Sequence, residues 1–216
     1  MKRSILVLLV FCSSMIAKTQ PFIDEIRSFE KQDSIRFPPK YEVLFVGSSS
    51  FRFWTDVQLY FPTHPIINRG FGGSTLEDVI RYAKDIILPY EPKQVVIYCG
   101  ENDLGYSDTV TVSIVFDRFK QLFTLIRNKM HNENIVYVSI KPSIFRQRLM
   151  PKMAAANELI KKFLVTQENT TFVDVYHLML NTDGTPMKDI FRPDNLHMNA
   201  KGYAIWQKAI EPYLVK

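Results

Sequence analysis

The sequence predicts a single α/β domain in which a mainly parallel β-sheet is covered by helices on both faces. Short, continuously apolar runs alternate with longer segments whose apolar residues recur at helical spacing. Strands of such unbroken apolar character are typical of parallel sheets that are buried on both sides. The chain has 216 residues, which is the length of one large domain, and no internal repeat or linker-like stretch interrupts the alternation.

The first half of the chain gives three strands and two helices. Residues 22–34 carry apolar residues at helical spacing, and two prolines follow them. The first strand, 42–47, is an apolar run that ends in small residues, and 65–68 is a second, shorter strand. An amphipathic helix over 75–88 ends before a proline, and 94–99 is a third apolar run.

The second half continues the same pattern. A long helix is predicted over 110–130, followed by a fourth strand over 134–140. Residues 147–165 place apolar residues on one side of another helix, and 171–175 is the fifth strand. Residues 199–214 are predicted to form the closing helix. In sheets of this kind, ligands bind beyond the carboxyl ends of the strands, so chemically active residues are expected there.

Composition excludes several classes of protein. Hydrophobic residues make up 46% and charged residues 23% of the chain, which is ordinary for a globular domain and rules out a disordered one. The net charge of +5 arises from 27 Lys and Arg against 22 Asp and Glu, and these charges are spread thinly along the chain. No basic cluster is present, so no nucleic-acid partner is expected.

The N-terminus predicts export. A positively charged start at 1–4 precedes an apolar run at 5–11 and then small residues up to Ala17. This order is typical of a secretory signal peptide and is too short for a membrane anchor. We therefore expect residues 1–17 to be removed and 18–216 to form the domain, periplasmic or extracellular and without stable membrane insertion. A buried N-terminal strand is the alternative, which the basic flank disfavours.

The two cysteines and one glycosylation sequon allow further predictions. Cys12 permits a lipoprotein interpretation, although the bulky Phe11 before it argues against lipidation. Removal of the signal peptide leaves Cys99 as the sole cysteine, so no intramolecular disulfide is expected. Cys99 lies in an apolar strand and is interpreted as a small hydrophobic residue. Asn169 begins a glycosylation sequon that matters only in a host that glycosylates.

Four polar segments lie where the fold class predicts a ligand site. They read GSSS at 47–50, NRGFGGST at 68–75, GEND at 100–103 and DNLH at 194–197. Each has a simple structural alternative: serines and Asn-Asp pairs cap helices, and glycines form turns. The spacing of the glycines differs from that of a dinucleotide site. An Asp and a His three residues apart can hydrogen bond, with the carboxylate fixing the imidazole tautomer, although such a pair is often structural.

Taken together and in this order, the four segments resemble the blocks of the GDSL/SGNH hydrolase superfamily. The resemblance spans 42–203 and implies a flavodoxin-like three-layer α/β/α sandwich with a five-stranded parallel sheet in the order 2-1-3-4-5. It implies that Ser49 is the nucleophile, His197 the general base and Asp194 its orienting partner. The Ser49 amide, the Gly73 amide and the Asn102 side chain would form the oxyanion hole.

One position departs from the family pattern. Ser48 stands where the family usually has Asp, which leaves Ser48 and Ser50 as lesser candidates for the nucleophile. The family Asp is not a triad member, so activity is still expected. Arg52 and Trp54 follow closely, and they are expected either to position the nucleophile and line the pocket or, for Trp54, to lie in the core.

Other polar residues near the strand ends have open roles. Lys141 and Arg146 follow the fourth strand and are expected either to contact an acidic substrate or to lie on a solvated surface. Glu101 and Asp103 flank Asn102; either could tune the cleft, and helix capping is favoured for Asp103.

No cofactor and no metal are expected. The four histidines lie far apart in sequence, and no pair of cysteines has the spacing of a metal site. They are His64, His131, His177 and His197.

The resemblance implies a serine esterase or acylhydrolase that cleaves carboxylic esters. Without long insertions between the blocks, short acyl groups such as acetyl esters of carbohydrates are favoured. A lysophospholipase or thioesterase is the alternative within the same chemistry. An inactive glycan-binding or interaction protein of the same fold is the alternative outside it.

Overall fold

The computed structural model describes residues 20–216, so the predicted signal peptide and the Cys12 lipidation site lie outside the described residues. The strands are β1 Val43–Gly47, β2 Ile66–Gly70, β3 Gln94–Tyr98, β4 Asn134–Val138 and β5 Thr170–Val173. The α-helices are α1 Ile23–Ile35, α2 Ser49–Arg52, α3 Val57–Tyr60, α4 Leu76–Ile86, α5 Glu101–Tyr106, α6 Val112–Lys129, α7 Met150–Val165 and α8 Ala200–Ile210. All five predicted strands and all five predicted long helices are present, with ends shifted by a few residues. No range was predicted for the three short helices α2, α3 and α5, because one or two turns are too short to show helical periodicity.

The five strands form one parallel sheet in the order β2-β1-β3-β4-β5. This order confirms the flavodoxin-like α/β sandwich that the resemblance implied. The direction of the strand order changes between β1 and β3, and ligands of such sheets bind beside this switch point. Three of the four polar segments identified in the sequence lie at the carboxyl ends of β1, β2 and β3.

Helices cover both faces of the sheet, as the apolar strands required. On β1, Leu44 and Val46 pack into a core that also contains the apolar faces of α1, α4, α6 and α7. The alternating residues Val43 and Phe45 belong to a second core, which includes Trp206 of α8 and buried side chains of α2 and α3. Successive side chains of a strand point to opposite faces, so one apolar run supplies both cores.

Side-chain caps fix where three of the long helices begin. Thr75 accepts a hydrogen bond from the Asp78 amide while the Asp78 carboxylate accepts from the Thr75 amide, which is a capping box at the start of α4. The side chains of Thr111 and Asn199 accept backbone amides at the starts of α6 and α8, without the reciprocal bond of a capping box. Thr75 is the last residue of the polar segment 68–75, and Asn199 lies two residues after the segment 194–197, so these caps also anchor the ends of those segments.

The turn after β1 requires glycine at position 47. Gly47 has a φ of 138°, and a Cβ at this position would lie 1.9 Å from the Tyr98 carbonyl oxygen of neighbouring β3. Only a residue without a side chain fits this approach. The tight turn delivers the following serines to the carboxyl edge of the sheet, at the switch point.

Within residues 20–216, no helix has both the length and the apolar character needed to cross a lipid bilayer.

Candidate active site

Ser49 occupies a different environment from the serines on either side of it. It is the first residue of α2, directly beyond β1, and is partly exposed, whereas Ser48 and Ser50 are each 2% exposed. The Ser49 hydroxyl lies 3.1 Å from Nε2 of His197. As the first residue of a helix, Ser49 also has a backbone N–H without an intrahelical acceptor. The structure therefore brings Ser49, of the three serines, to the histidine.

The loop before α8 holds His197 in a defined orientation. Nδ1 of His197 lies 2.7 Å from Oδ2 of Asp194, and Oδ1 of Asp194 accepts the backbone amides of Leu196 and His197, each at 2.9 Å. The Phe53 ring packs edge-to-face on the imidazole, with ring centres 4.7 Å apart. An ionised carboxylate can only accept, so Nδ1 carries the hydrogen and Nε2 is free to accept the Ser49 proton.

Hydrogen bonding keeps Asp194 ionised. Partial burial raises the pKa of the Asp194 carboxyl, but the hydrogen bond from the His197 ring and those from the two backbone amides outweigh it. The net effect lowers the pKa of Asp194 from 3.8 to about 2. The carboxylate is therefore charged at neutral pH.

This shift predicts how stability changes with pH. The native state holds the Asp194 proton less tightly than the unfolded chain does, so protonation favours unfolding as the pH falls from 3.8 to about 2. We expect Asp194→Asn to be less stable than the wild type at neutral pH, with a difference that shrinks through this range. Urea unfolding of both proteins across the range measures it. A stability difference between the two proteins that stays constant with pH would contradict the lowered pKa of Asp194.

The two other expected oxyanion-hole residues flank the Ser49 turn. Gly73 has a φ of 60° in the segment after β2, and that segment is tied to the end of β1 because Ser74 Oγ donates to the Gly47 carbonyl at 3.2 Å. Asn102 lies in the first turn of α5, beyond β3, and its Nδ2 donates to the Ser74 carbonyl at 3.0 Å. The segments after β2 and β3 therefore meet beside the Ser49 turn.

A second Asp-His pair shows how little this motif establishes alone. His177 Nδ1 lies 2.7 Å from Asp174 Oδ2, and the His177 amide donates to Asp174 Oδ1 at 3.1 Å, as in the Asp194 pair. The His177 side chain is, however, 74% exposed, against 20% for that of His197. What distinguishes His197 is the serine hydroxyl at its second ring nitrogen. The sequence assigned no role to His177, and its partner was not foreseen.

Lys141 has neither of the positions expected for it. Its side chain is 1% exposed, and Nζ lies 3.1 Å from Oε2 of Glu101, whose side chain is 5% exposed. Nζ also donates to the Leu196 carbonyl at 2.8 Å. The expectation of a solvated surface or a substrate contact is wrong for Lys141, because a buried carboxylate pairs with it. No local pattern predicts this pair, because its members are 40 residues apart.

The structure also shows where Trp54 and Arg52 lie, for which the sequence left alternative roles open. Trp54 is fully buried in the core, as one of the two interpretations held. Arg52 pairs with Glu25 of α1 at 2.7 Å, and Glu25 also accepts the Gly72 amide at 3.1 Å. Helix α1 is thus fastened both to α2 and to the segment after β2.

Asp103 and Cys99 are both fully buried. Asp103 accepts the amide of Leu76, the first residue of α4, at 2.9 Å and pairs with Arg118. It therefore supports the start of α4 rather than that of its own helix. Burial raises the pKa of the Cys99 thiol well above its usual value, in keeping with its interpretation as a small hydrophobic residue.

A cavity of about 310 Å³ opens beside Gly73. Its lining combines aromatic rings with charged and hydroxyl-bearing side chains, and includes Phe22, Thr75, Arg81, Tyr106 and Arg118. Tyr106 is 84% exposed at the end of α5. Among residues 20–216, no group of three or more His, Cys, Asp or Glu side chains is arranged to hold a metal ion.

Comparison with known protein families gives one match that covers most of the chain. The model of the GDSL-like lipase/acylhydrolase family matches residues 45–205. A search of curated proteins gives no match.

Several solved structures resemble the chain in fold. A protein from Streptococcus pneumonia is 19% identical with a TM-score of 0.78, over 89% of this chain and 92% of the other. A GDSL-like lipase from Bacteroides thetaiotaomicron is 19% identical with a TM-score of 0.71, over 87% and 95%. A catalytic mutant of an acetylxylan esterase from Geobacillus stearothermophilus is 16% identical with a TM-score of 0.63, over 81% and 94%. At these identities the likeness establishes the fold.

Proposed function

The chain belongs to the GDSL-like lipase/acylhydrolase family and is an ester hydrolase, and from this premise we propose that Ser49, His197 and Asp194 form its catalytic triad. One observation carries the proposal: the Ser49 hydroxyl lies 3.1 Å from His197 Nε2 while Nδ1 of the same ring lies 2.7 Å from Asp194. A nucleophile, a base and an orienting carboxylate in hydrogen-bond sequence are what acyl transfer through serine requires.

Acylation begins with attack on the ester carbonyl by the Ser49 hydroxyl. His197 Nε2 takes the hydroxyl proton as the bond from Oγ to the carbonyl carbon forms. The imidazolium is stabilised by the adjacent Asp194 carboxylate. It then returns the proton to the departing alcohol as the tetrahedral intermediate collapses. A water molecule repeats these steps on the acyl-enzyme and releases the carboxylic acid with free Ser49.

We propose that three hydrogen-bond donors stabilise the negatively charged oxygen of the tetrahedral intermediate. They are the amides of Ser49 and Gly73 and the Asn102 side chain, which come from the segments after β1, β2 and β3. Loss of one such donor typically costs roughly 10²- to 10³-fold in rate. A fixed backbone supplies two of the three, so little reorganisation is needed during the reaction.

For the substrate, we propose short acyl esters, in particular acetyl esters, carried on carbohydrate. The cavity beside Gly73 presents aromatic rings together with polar groups, and this combination suits a sugar, which stacks on rings and exchanges hydrogen bonds. The exposed Tyr106 ring offers a stacking surface at its edge. The fold likeness to an acetylxylan esterase supports the same substrate class.

Hydrolysis of matched esters tests the substrate class. We expect p-nitrophenyl acetate to be cleaved faster than the butyrate and much faster than a long-chain ester, and an acetylated xylo-oligosaccharide to be deacetylated. Tyr106→Ala should lower kcat/KM on the oligosaccharide by roughly 2- to 10-fold, which corresponds to one aromatic contact, and leave the p-nitrophenyl acetate rate unchanged.

Tyr41→Ala is the matched control, because Tyr41 is exposed at the opposite end of β1. Fastest turnover on the long-chain ester would favour a lysophospholipase- or thioesterase-type enzyme instead. Binding of the oligosaccharide without turnover of any ester would support an inactive glycan-binding protein.

A further inference from the structure

Two contacts fix the orientation of the Asn102 side-chain amide. Nη1 of Arg146 donates to Oδ1 of Asn102 at 2.9 Å, while Nδ2 of Asn102 donates to the Ser74 carbonyl at 3.0 Å. Arg146 lies 44 residues further along the chain, in the segment that follows β4. One end of the amide is therefore held by a cation and the other by a carbonyl.

The orientation of this amide decides whether it can stabilise an oxyanion. The NH₂ group has two hydrogens, and the Ser74 carbonyl occupies one, so one remains for a developing negative charge. Rotation of the amide by 180° would place its oxygen where the donor is needed and would set two carbonyl oxygens against each other. Arg146 opposes this rotation because a guanidinium only donates and requires the oxygen to face it.

Arg146 is itself held by a buried carboxylate. Its Nη1 lies 3.4 Å from Oε1 of Glu101, whose other oxygen accepts the Tyr98 hydroxyl at 2.6 Å and pairs with Lys141. Burial raises the pKa of Glu101, but the Lys141 and Arg146 charges outweigh it and hold that pKa below its usual value. The ionised carboxylate fixes both cations, and Lys141 in turn donates to the carbonyl of Leu196, the residue before His197.

We propose that Arg146 is a positioning residue that acts through Asn102, holding its amide in the orientation that donates to the oxyanion. The inference rests on the proposed function, because it assigns Arg146 to the same site. It differs from both roles expected from the sequence, which were a direct contact with an acidic substrate and a place on a solvated surface. A residue that acts through Asn102 must affect kcat on a neutral ester, whereas a substrate contact would affect KM and depend on the charge of the substrate.

A double-mutant cycle on neutral p-nitrophenyl acetate tests the proposal. We expect Arg146→Met to lower kcat by roughly 10- to 100-fold with little change in KM, which is less than the loss from deleting the donor in Asn102→Ala. In the Asn102→Ala background, Arg146→Met should lower kcat by less than about 2-fold further, because the side-chain amide that Arg146 orients is absent. Losses that multiply in the double variant, or a loss confined to KM, would overturn the proposal.

Control variants separate positioning from folding. Arg148→Met removes a neighbouring arginine that pairs with exposed Asp108 at 2.9 Å, and it should leave kcat unchanged. Arg146→Lys keeps the charge and one donor, so it should recover part of the lost kcat if Arg146→Met is correctly folded. Thermal unfolding of each variant checks the fold, and equal kcat values for Lys and Met at position 146 would count against the proposal.

The outcome for Ser49→Ala separates this inference from the proposed function. Turnover that survives in Ser49→Ala would overturn the triad and the inference together. An inactive Ser49→Ala variant beside an Arg146→Met variant of wild-type kcat would overturn the role of Arg146 alone.

Discussion

Ser49→Ala is expected to lower ester hydrolysis by at least ~10⁴-fold, because the substitution removes the atom that forms the acyl-enzyme. The change should leave stability nearly unaltered, since the hydroxyl is partly exposed at the start of a short helix. Steady-state turnover of p-nitrophenyl acetate measures the loss. Any residual rate would come from binding and from the oxyanion donors, which this substitution keeps.

Ser48→Ala provides the matched control. Ser48 is adjacent in sequence but buried, and its side chain makes no capping hydrogen bond at the start of α2. Removal of the Ser48 hydroxyl should change kcat little, which would show that activity needs no polar side chain at this position. A loss in Ser48→Ala as large as that in Ser49→Ala would contradict the assignment of the nucleophile.

His197→Ala is expected to lower kcat by at least ~10³-fold, because the Ser49 proton then has no acceptor and the leaving alcohol has no donor. The protein carries its own control in His177, which has an aspartate partner at the same 2.7 Å distance but is largely exposed. His177→Ala should therefore retain wild-type activity.

The comparison of the two histidines isolates what the serine contact contributes. Both variants break an Asp-His hydrogen bond and leave Oδ2 of the aspartate without its imidazole partner, while Oδ1 keeps its backbone donors. Equal losses of kcat in His197→Ala and His177→Ala would mean that activity depends on local loop structure rather than on proton transfer at Ser49. Equal retention of activity would exclude His197 as the base.

Local sequence was sufficient to predict most of the fold. The strand over 42–47 was recognisable because β1 is buried on both faces and its apolar run is unbroken. Helix α4 was recognisable from its apolar spacing and from the proline that follows it. Helices α3 and α5 span four and six residues, too few for periodicity to appear.

Some residues of the candidate site could likewise be predicted from local sequence motifs, and others could not because their partners are far away in sequence. Ser49, Gly73, Asn102 and the Asp194-His197 pair follow from short motifs at strand ends, which the switch-point rule brings together. Glu101, Lys141 and Arg146 do not, because their partners lie about 40 residues away in sequence and only the packed sheet joins them. A buried lysine after β4 cannot be distinguished from an exposed one until its carboxylate partner is located.

Covalent labelling tests the central claim, that Ser49 is the nucleophile, most directly. Treatment with a fluorophosphonate joins a serine oxygen to phosphorus with loss of fluoride, and mass spectrometry locates the adduct. All three candidate serines lie between Lys40 and Arg52, so one tryptic peptide contains them and fragment spectra must assign the site. We predict one adduct per chain, on Ser49, absent from Ser49→Ala and much slower to form in His197→Ala. An adduct on Ser48 or Ser50, or an active enzyme that takes no label, would contradict the account.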